Sequence, residues 1–501
     1  HSPFVMLADR KANEDYGRVW GFSLVWSGSF QASAEQDQFG QTRFSMGLDD
    51  EDFNYPLQPG QELVLPEVMM SFSSCGMEKL SHNFHDIIRG NLIRGPWKNK
   101  RRPVLLNSWE TAGFDFNGDS ILELADEAAA TGMEMLVLDD GWFGNRNSDN
   151  EGLGDWFANT AKLGCSIKEF SKKIHDRGLM FGLWFEPEMV SEDSELYRSH
   201  PEYAMHIPGR RPVRGRNQLV LDFSHDAVVD AVYEQVTKVL DGAGIDYLKW
   251  DMNRSITDVY ENGFGKGAKL YRYVLGVYRF MNKLLVRYPG LLLETCSGGG
   301  GRFDAGMLYY SPQIWCSDNT DPIERLAIQY GTSFGFPANT MGAHVGAEKN
   351  PNNGRVTELN TRAAAASAGV LGYELDLTKL SGREKKEIRE QIDTYKQDWP
   401  LIDSGNYYRL DDIDRKDHHS AWMFVSENQD RAVLQVVTTD TRFKAPTEYI
   451  LLKGLKKDSF YQSRESGKIY SGSALMSAGI FLPRFREEYK ALKIHFEEVN
   501  A

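Results

Sequence analysis

The strongest candidate for a catalytic residue in this sequence is an aspartate with a lysine two residues before it and an asparagine two residues after it. Asp251 directly follows the short apolar run 247–250, with Lys249 before it and Asn253 after it. Side chains alternate along a strand, so these three would point the same way. A nearby lysine favours the ionised form of a carboxyl group, and an ionised aspartate can act as a nucleophile. A structural ion pair at a strand end is the alternative interpretation of this spacing.

Asp318 is the candidate for the complementary role of a protonated acid. It follows the apolar run Gln313–Cys316 in a segment rich in Ser, Asn and Thr. Burial beside Trp315 would raise its pKa and keep the carboxyl group protonated. Hydrolysis of a glycosidic bond uses two such carboxyl groups on either side of the bond. The segment also suits a helix N-cap, which is the favoured interpretation of Asp321 and stays open for Asp318.

Further carboxylates and aromatic residues follow the other apolar runs and suit a sugar, whose hydroxyl groups and apolar ring face they could bind. They are Trp109, Glu110, Asp139, Asp140, Trp184, Glu186, Glu188, Glu294 and Cys296. One of the paired aspartates could instead shape a turn before Gly141. The Glu186-Pro187-Glu188 segment is interpreted as a supporting element. On spacing alone, Cys296 is more often a small core residue than a ligand, and a lone arginine such as Arg216 is usually a surface side chain.

The sequence predicts neither a metal site nor a cofactor. The glycine run Gly298–Gly301 could bring the backbone close to a ligand, but it lacks the Lys-Ser/Thr of a phosphate-binding loop. The histidines lack metal-ligand spacing, and the four cysteines are dispersed without a C-x-x-C pair. With a net charge of −14, neither nucleic acid nor a membrane is expected as a partner.

The elements that must position these residues alternate between strand and helix from about Arg102 to Leu377. This rhythm predicts an α/β fold, a (β/α)8 barrel with functional residues at the carboxyl ends of its strands. A doubly wound sheet is the alternative, but Trp109–Thr111 is not its glycine-rich turn. The predicted strands are Val104–Trp109, Met133–Leu138, Leu179–Phe185, Tyr247–Trp250, Leu291–Thr295, Gln313–Cys316, Phe334–Phe336 and Val370–Tyr373.

Both ends of the chain are predicted to be rich in β-structure. Strands are expected at Val19–Phe30 and Glu62–Phe72, followed by a helix at Ser81–Arg94. A charged helix at Gly382–Asp398 precedes Pro400, after which alternating residues predict an antiparallel sandwich. We therefore predict three parts: residues 1–95 as part of an N-terminal β-sandwich with a linker helix, 96–400 as the barrel, and 401–501 as a C-terminal β-sandwich.

Seven longer motifs contain most of these residues. They are NSWE (Asn107–Glu110), LDDGWFG (Leu138–Gly144), FGLWFEPEMV (Phe181–Val190), RNQLVLD (Arg216–Asp222), LKWDMNR (Leu248–Arg254), ETCSGGGGRFD (Glu294–Asp304) and WCSDNTD (Trp315–Asp321). In this order they resemble glycoside hydrolase family 36, the bacterial α-galactosidases, from about residue 14 to past residue 410. The resemblance implies retaining hydrolysis of α-galactosides such as melibiose and raffinose, with Asp251 as the nucleophile and Asp318 as the general acid/base.

The resemblance also implies which residues hold the galactose ring. The matching positions are Trp109, Asp139, Asp140, Trp184, Arg216, Lys249, Asn253, Cys296 and Gly299. Similar proteins carry a larger β-sandwich before the barrel, of which the closing portion is expected here. In tetrameric relatives that domain helps to close the active site of a neighbouring subunit, so the resemblance leaves homo-oligomer formation open. A cytoplasmic location is expected.

Three other functions stay open on the sequence. They are α-galactosyl transfer, action on α-N-acetylgalactosamine, and sugar binding without catalysis. The LDDGWFG and GGGGRFD motifs favour a hydrolase over a transferase. Two candidate catalytic carboxyl groups favour an enzyme over a binding protein, which has no need of them.

Overall fold

The computed structural model describes residues 2–261, 265–411, 418–441, 448–483 and 487–499. Its first strands are β1 (Phe4–Ala8), β2 (Val19–Leu24), β3 (Phe30–Gln36), β4 (Thr42–Leu48) and β5 (Val68–Ser73). The strands β1, β2 and β5 form one antiparallel sheet, and β3 pairs with β4. The predicted strand Glu62–Phe72 therefore begins late, after Pro66, which cannot donate to a ladder. The helix α1 (Gly76–Ile87) begins earlier than predicted and continues into a π-helical turn, Ile88–Leu92.

Eight parallel strands close into a barrel within the described residues, which confirms the predicted (β/α)8 fold. The strands of this region are β6 (Leu105–Asn107), β7 (Met135–Leu138), β8 (Met180–Phe185), β9 (Met189–Val190), β10 (Leu219–Val220), β11 (Tyr247–Trp250), β12 (Leu292–Thr295), β13 (Gln313–Trp315), β14 (Met341–Val345) and β15 (Val370–Tyr373). The short strands β9 and β10 pair with each other outside the barrel, between β8 and β11. Closure brings the carboxyl ends of the eight barrel strands to one mouth.

The seventh barrel strand is β14, so the prediction of a strand at Phe334–Phe336 was wrong. That segment is the turn after a helix, and it is apolar because it packs against other elements. The Phe336 ring contacts those of Phe303 and Phe4. The sequence of β14, Met-Gly-Ala-His-Val, has few of the β-branched and aromatic residues that mark strands.

Most of the described helices of the barrel region begin at a residue whose side chain accepts a backbone N–H. The helices of this region are α2 (Trp109–Ala112), α3 (Gly118–Ala130), α4 (Thr160–Leu163), α5 (Ile167–His175), α6 (Glu195–Ser199), α7 (Asp226–Leu240), α8 (Lys266–Arg287), α9 (Ala305–Leu308), α10 (Pro322–Thr332), α11 (Leu359–Ala366) and α12 (Gly382–Ser404). The side chain of Asp321 accepts two backbone N–H groups at the start of α10, which confirms its predicted capping role. The helix α12 continues through Pro400, contrary to the predicted stop before that proline. Among the described helices, none is long and apolar enough to cross a bilayer.

The C-terminal part is antiparallel, as predicted. Its elements are β16 (Asn406–Arg409), β17 (His419–Val425), β18 (Arg431–Thr438), β19 (Tyr449–Ile450), β20 (Phe460–Ser463), β21 (Ile469–Ser471), α13 (Gly472–Ser477), β22 (Ile480–Phe481) and β23 (Ala491–Val499). The strands form a sheet in the order β16-β17-β18-β23-β20-β21, and β19 pairs with β22. Residues from both sheets share one buried apolar cluster.

A buried ion pair ties the N-terminal segment to the C-terminal sheet. Arg409 of β16 is buried, and its guanidinium donates to both carboxylate oxygens of Glu14, at 2.8 and 2.9 Å. It also donates to the backbone carbonyl of Ser333, which follows α10, at 3.1 Å. Three parts of the chain therefore meet at one side chain.

We predict that Arg409→Ala lowers the free energy of unfolding by about 3 kcal/mol, because it removes one partner of a buried pair and leaves Glu14 uncompensated. Denaturant unfolding measures this change. Arg18→Ala, which breaks the exposed pair between Arg18 and Asp9, is the control and should change stability little. Equal losses in the two variants would contradict the prediction.

Candidate active site

A cavity of about 380 Å³ opens at the carboxyl ends of the barrel strands. It is lined by Trp109, Glu110, Asp139, Asp140, Trp184, Arg216, Lys249, Asp251, Asn253, Trp315, Asp318, Thr320, Pro351, Asn352 and Glu374. All the site residues predicted from the sequence are in this set except Cys296 and Gly299. The cavity is therefore rich in carboxyl groups and aromatic rings.

Asp251 follows β11, and three donors hold its carboxylate. The Trp184 indole and the Asn253 side-chain amide donate to Oδ2 at 3.1 and 2.9 Å, and the Met252 N–H donates to Oδ1 at 2.8 Å. Burial raises the pKa of Asp251, but the charge of Lys249 and the side-chain hydrogen bonds outweigh it and bring the pKa below its ordinary value. Asp251 is thus ionised at neutral pH.

Lys249 forms its direct ion pair with Asp139. Its Nζ lies 2.8 Å from Asp139 Oδ2, which also accepts a hydrogen bond from the Asn107 amide at 2.7 Å. Burial lowers the pKa of Lys249, but the charge of Asp139 opposes it, and the pKa lies well above its ordinary value. Lys249 therefore acts on Asp251 through its nearby charge, as the sequence predicted, and makes its direct ion pair elsewhere.

Asp140 belongs to a chain of alternating charges. The Arg146 guanidinium donates to both of its carboxylate oxygens, at 3.0 and 2.8 Å. Asp149 then lies 3.7 Å from Arg146 and 3.7 Å from Arg216. Arg216 and Asn217 both have left-handed backbones, with φ of 50° and 60°. Arg216 thus lies at the cavity rim, where Asp149, the last carboxylate of this series of charges, holds it.

Asp318 follows β13, and its carboxylate faces the cavity. Its Oδ1 accepts a hydrogen bond from the Trp315 indole at 2.9 Å, and the Cys296 Sγ lies 3.8 Å away. Asp318 is exposed to the cavity, so its side chain is less buried than the sequence predicted. The protein around it still desolvates the carboxyl group, and together with the charge of Asp251 this raises its pKa above the ordinary value. Since Asp321 caps the following helix, the capping interpretation of Asp318 is excluded.

Cys296 and Gly299 support the cavity from behind. The Cys296 thiol lies beside Asp318, and its hydrogen bond helps to lower the pKa of Asp251. Burial raises the pKa of the thiol well above its ordinary value, so it stays a neutral donor. Gly299 has a φ of 82°, and a Cβ there would lie 2.7 Å from the backbone nitrogen of Asp318. Glycine is therefore required for this close approach.

Two further carboxyl groups line the cavity: Glu110, which the sequence placed at the mouth without a role, and Glu374, which it missed. Glu110 follows β6 and Glu374 follows β15, and burial raises the pKa of each to about 8. Glu374 shares a 2.9 Å hydrogen bond with His344 of β14, the strand that the sequence pattern failed to reveal. Thr320 donates its hydroxyl to Glu110 at 2.6 Å. The position of Glu374 at the end of β15 was the signal that could have found it.

Family models match the chain along most of its length. The Melibiase model matches residues 63–405, and the N-terminal and C-terminal domain models of glycosyl hydrolase family 36 match residues 1–58 and 419–496. The chain belongs to glycoside hydrolase family 36. Membership confirms the resemblance seen in the seven sequence motifs.

Curated members of family 36 align with the whole chain. The bifunctional α-galactosidase/sucrose kinase AgaSK of Mediterraneibacter gnavus is 53% identical over 500 residues, which are 100% of this chain and 53% of the relative. The α-galactosidase Mel36A of Lactobacillus acidophilus is 45% identical over 502 residues, 100% of this chain and 68% of the relative. The chain thus spans about half the length of the first and two thirds of the second.

Solved structures of family 36 share the fold. The galactosidase domain of AgaSK matches with a TM-score of 0.97 at 54% identity, over 99% of this chain and 68% of that one. The α-galactosidase AgaA of Geobacillus stearothermophilus matches with a TM-score of 0.96 at 44% identity, over 99% of this chain and 69% of that one. Variants of AgaA have been solved in complex with raffinose and with stachyose.

We predict that Gly299→Ala displaces the segment that carries Asp318, whereas Gly298→Ala leaves it in place. Both glycines have positive φ, 82° and 51°, so each alanine incurs about 1–2 kcal/mol of backbone strain. A Cβ at Gly299 meets the Asp318 backbone at 2.7 Å, but a Cβ at Gly298 has no described atom within 4 Å.

Crystal structures and thermal unfolding of the two variants measure the difference. The unfolding midpoint should fall further for Gly299→Ala than for its neighbour. An Asp318 carboxylate that stays in place in the Gly299 variant would contradict the prediction.

Proposed function

We propose that the chain is a retaining α-galactosidase that hydrolyses terminal α-galactosides, including melibiose and raffinose-type α-1,6 linkages, by double displacement. The observation that carries this proposal is one cavity with two carboxyl groups of opposite character. The pKa of Asp251 is lowered and that of Asp318 is raised. A retaining glycosidase needs an ionised nucleophile and a protonated acid. The names of the family relatives support the galactoside as the substrate.

In the first step the Asp251 carboxylate attacks the anomeric carbon of galactose. The new C–O bond to Asp251 forms as the glycosidic bond breaks, and Asp318 gives its proton to the departing oxygen. The aglycone leaves as an alcohol. The hydrogen bonds from Trp184 and Asn253 orient the attacking carboxylate before the reaction.

In the second step Asp318 acts as a base. It takes a proton from water as the water oxygen attacks the anomeric carbon, and the bond to Asp251 breaks with release of α-galactose. In the intermediate Asp251 is an ester and carries no charge. The negative charge that helped to raise the pKa of Asp318 is then absent, so Asp318 stays ionised as a base must.

The galactose ring is proposed to lie among Trp109, Asp139, Asp140, Trp184, Arg216, Lys249 and Asn253, which line the cavity. Carboxylates and cations that are already paired present fixed acceptors and donors to the ring hydroxyls. Cys296 and Gly299 support this set from behind. The raffinose and stachyose complexes of AgaA variants support a substrate of this class.

We also propose the domain limits 1–95, 96–400 and 401–501 and a cytoplasmic location. The matched ranges of the family models support the second limit better than the first, because the Melibiase model begins at residue 63. All four cysteines are free thiols, which supports a reducing compartment. The homo-oligomeric state stays open.

We predict that Asp251→Gly abolishes turnover of p-nitrophenyl α-galactoside, because it removes the nucleophile. Asp318→Ala should keep kcat/KM for this substrate, whose leaving group needs no proton, but should slow the second step, which needs a base, and should slow raffinose hydrolysis by roughly 10²–10⁴-fold. NMR of the first-formed sugar should show α-galactose. β-Galactose as the first product would rule out retention, and full activity of both variants would refute the assignments.

We predict that Trp315→Phe moves the alkaline limb of the pH profile for raffinose to higher pH. Asp251 must be ionised, so its lowered pKa sets the acid limb; Asp318 must be protonated, so its raised pKa sets the alkaline limb. The indole of Trp315 donates to Asp318 and favours its ionised form, so its loss raises that pKa further.

The measurement is kcat/KM against pH, since it reports the free enzyme. Trp109→Phe is the control, because it also removes an indole from the cavity. It should weaken binding and leave the alkaline limb in place. An alkaline limb unmoved in the Trp315 variant would contradict the prediction.

A further inference from the structure

Glu186 lies at the end of β8, behind the catalytic cavity. We propose that Glu186 is a positioning residue that fixes Asn253 and the turn bearing Arg216 around the nucleophile Asp251. This inference rests on the proposed function and adds a role for one half of the Glu186-Pro187-Glu188 segment.

One oxygen of Glu186 joins two distant segments. Its Oε1 accepts a hydrogen bond from the Gln218 side-chain amide at 2.7 Å and another from the Asn253 backbone N–H. The Asn253 side chain in turn donates to Asp251 at 2.9 Å. Glu186 is therefore connected to the nucleophile through Asn253, and it sets the position of that hydrogen-bond donor.

The second partner, Gln218, closes the turn that carries Arg216. Gly215 and Gln218 exchange backbone hydrogen bonds at 3.1 and 3.3 Å. Between them Arg216 and Asn217 hold φ values of 50° and 60°. Non-glycine residues in this strained left-handed conformation persist only where surrounding contacts hold them in place. The buried Gln218–Glu186 hydrogen bond supplies such a constraint, so Glu186 holds Arg216 at the rim as well.

The surroundings of Glu186 disfavour its ionised form. It is 1% exposed, and among the described residues its Oε2 has no hydrogen-bond partner. Burial and the negative charge of Asp251 raise the pKa of Glu186 to about 8. The cations that face it are Arg146 and Arg254. Arg146 pairs with Asp140, and Arg254 donates to backbone carbonyls.

Ionisation of Glu186 would place a second negative charge beside Asp251. That charge would repel the buried Asp251 carboxylate and displace it from the Trp184 and Asn253 donors that orient it. Glutamine keeps the acceptor oxygen of Glu186 without a titrating proton. The neutral form is therefore the one that a glutamine can reproduce.

Glu188, two residues along, offers a matched control. It is also buried, but the Trp250 indole and the Tyr273 hydroxyl each donate to it at 2.7 Å, and Arg302 pairs with it at 2.8 Å. These partners lie at the end of β11, on α8 and in the turn after the glycine run, and in the described structure none of them donates to the Asp251 carboxylate. A comparison of variants at Glu186 and Glu188 can therefore distinguish a positioning role from a purely structural one.

The experiment compares Glu186→Gln, Glu186→Ala and Glu188→Gln in the full chain, with p-nitrophenyl α-galactoside as substrate. Its leaving group needs no proton, so kcat/KM against pH is freed from the acid function of Asp318. Glu186→Ala should lower kcat/KM roughly 100-fold through misplacement, and glutamine should rescue it. The decline that wild type shows above a pH of about 8 should be absent from Glu186→Gln. Glu188→Gln should lower the unfolding midpoint and keep that decline.

Three outcomes would overturn the inference. They are full activity of Glu186→Ala, a glutamine variant as impaired as the alanine variant, and an alkaline decline unchanged by glutamine. Circular dichroism shows whether the alanine variant folds; if it does not, the pH profile of the glutamine variant decides. A wild-type chain that releases no p-nitrophenol would instead refute the proposed function, which is a distinguishable failure.

Discussion

The site depends on the electrostatic interaction between the buried ammonium group of Lys249 and the carboxyl groups around it. Lys249 is buried, pairs with Asp139, and acts through space on the other carboxyl groups of the cavity. It lowers the pKa of Asp251 and opposes the rise at Asp318 and Glu374. Lys249 alone cannot compensate so many carboxyl groups in a poorly solvated cavity, so protons are shared unequally among them. The pKa of Asp251 is lowered, whereas those of Asp318, Glu110 and Glu374 are raised.

This unequal sharing explains why two aspartates of the same chemical type differ. Asp251 gains donors from Trp184 and Asn253 in addition to the charge of Lys249, and these outweigh its burial. Asp318 has one indole donor and faces the charge of Asp251, so its pKa rises. Its exposure to the cavity does not prevent this, because the neighbouring charge reaches it across the same poorly solvated space.

Sequence patterns predicted the barrel and Asp251, because apolar runs mark strands and a residue after a strand lies at the mouth. They missed β14, whose Gly and Ala residues carry no strand signal, and with it the His344–Glu374 pair. Arg146 could not be found either, since its contact with Asp140 arises from the fold of a loop. Arg216 and Cys296 were recognised through family resemblance alone, because an exposed arginine and a buried cysteine have no distinctive pattern.

In the proposed mechanism, the same electrostatic coupling makes the acid/base role a property of the pair of aspartates rather than of Asp318 alone. If Asp251 forms the ester, its charge vanishes and one cause of the raised pKa at Asp318 is lost. The proposed acid of the first step would thereby become the base of the second. The rigid frame serves this exchange, since paired cations and left-handed turns keep the distances between the charges fixed while the charges change.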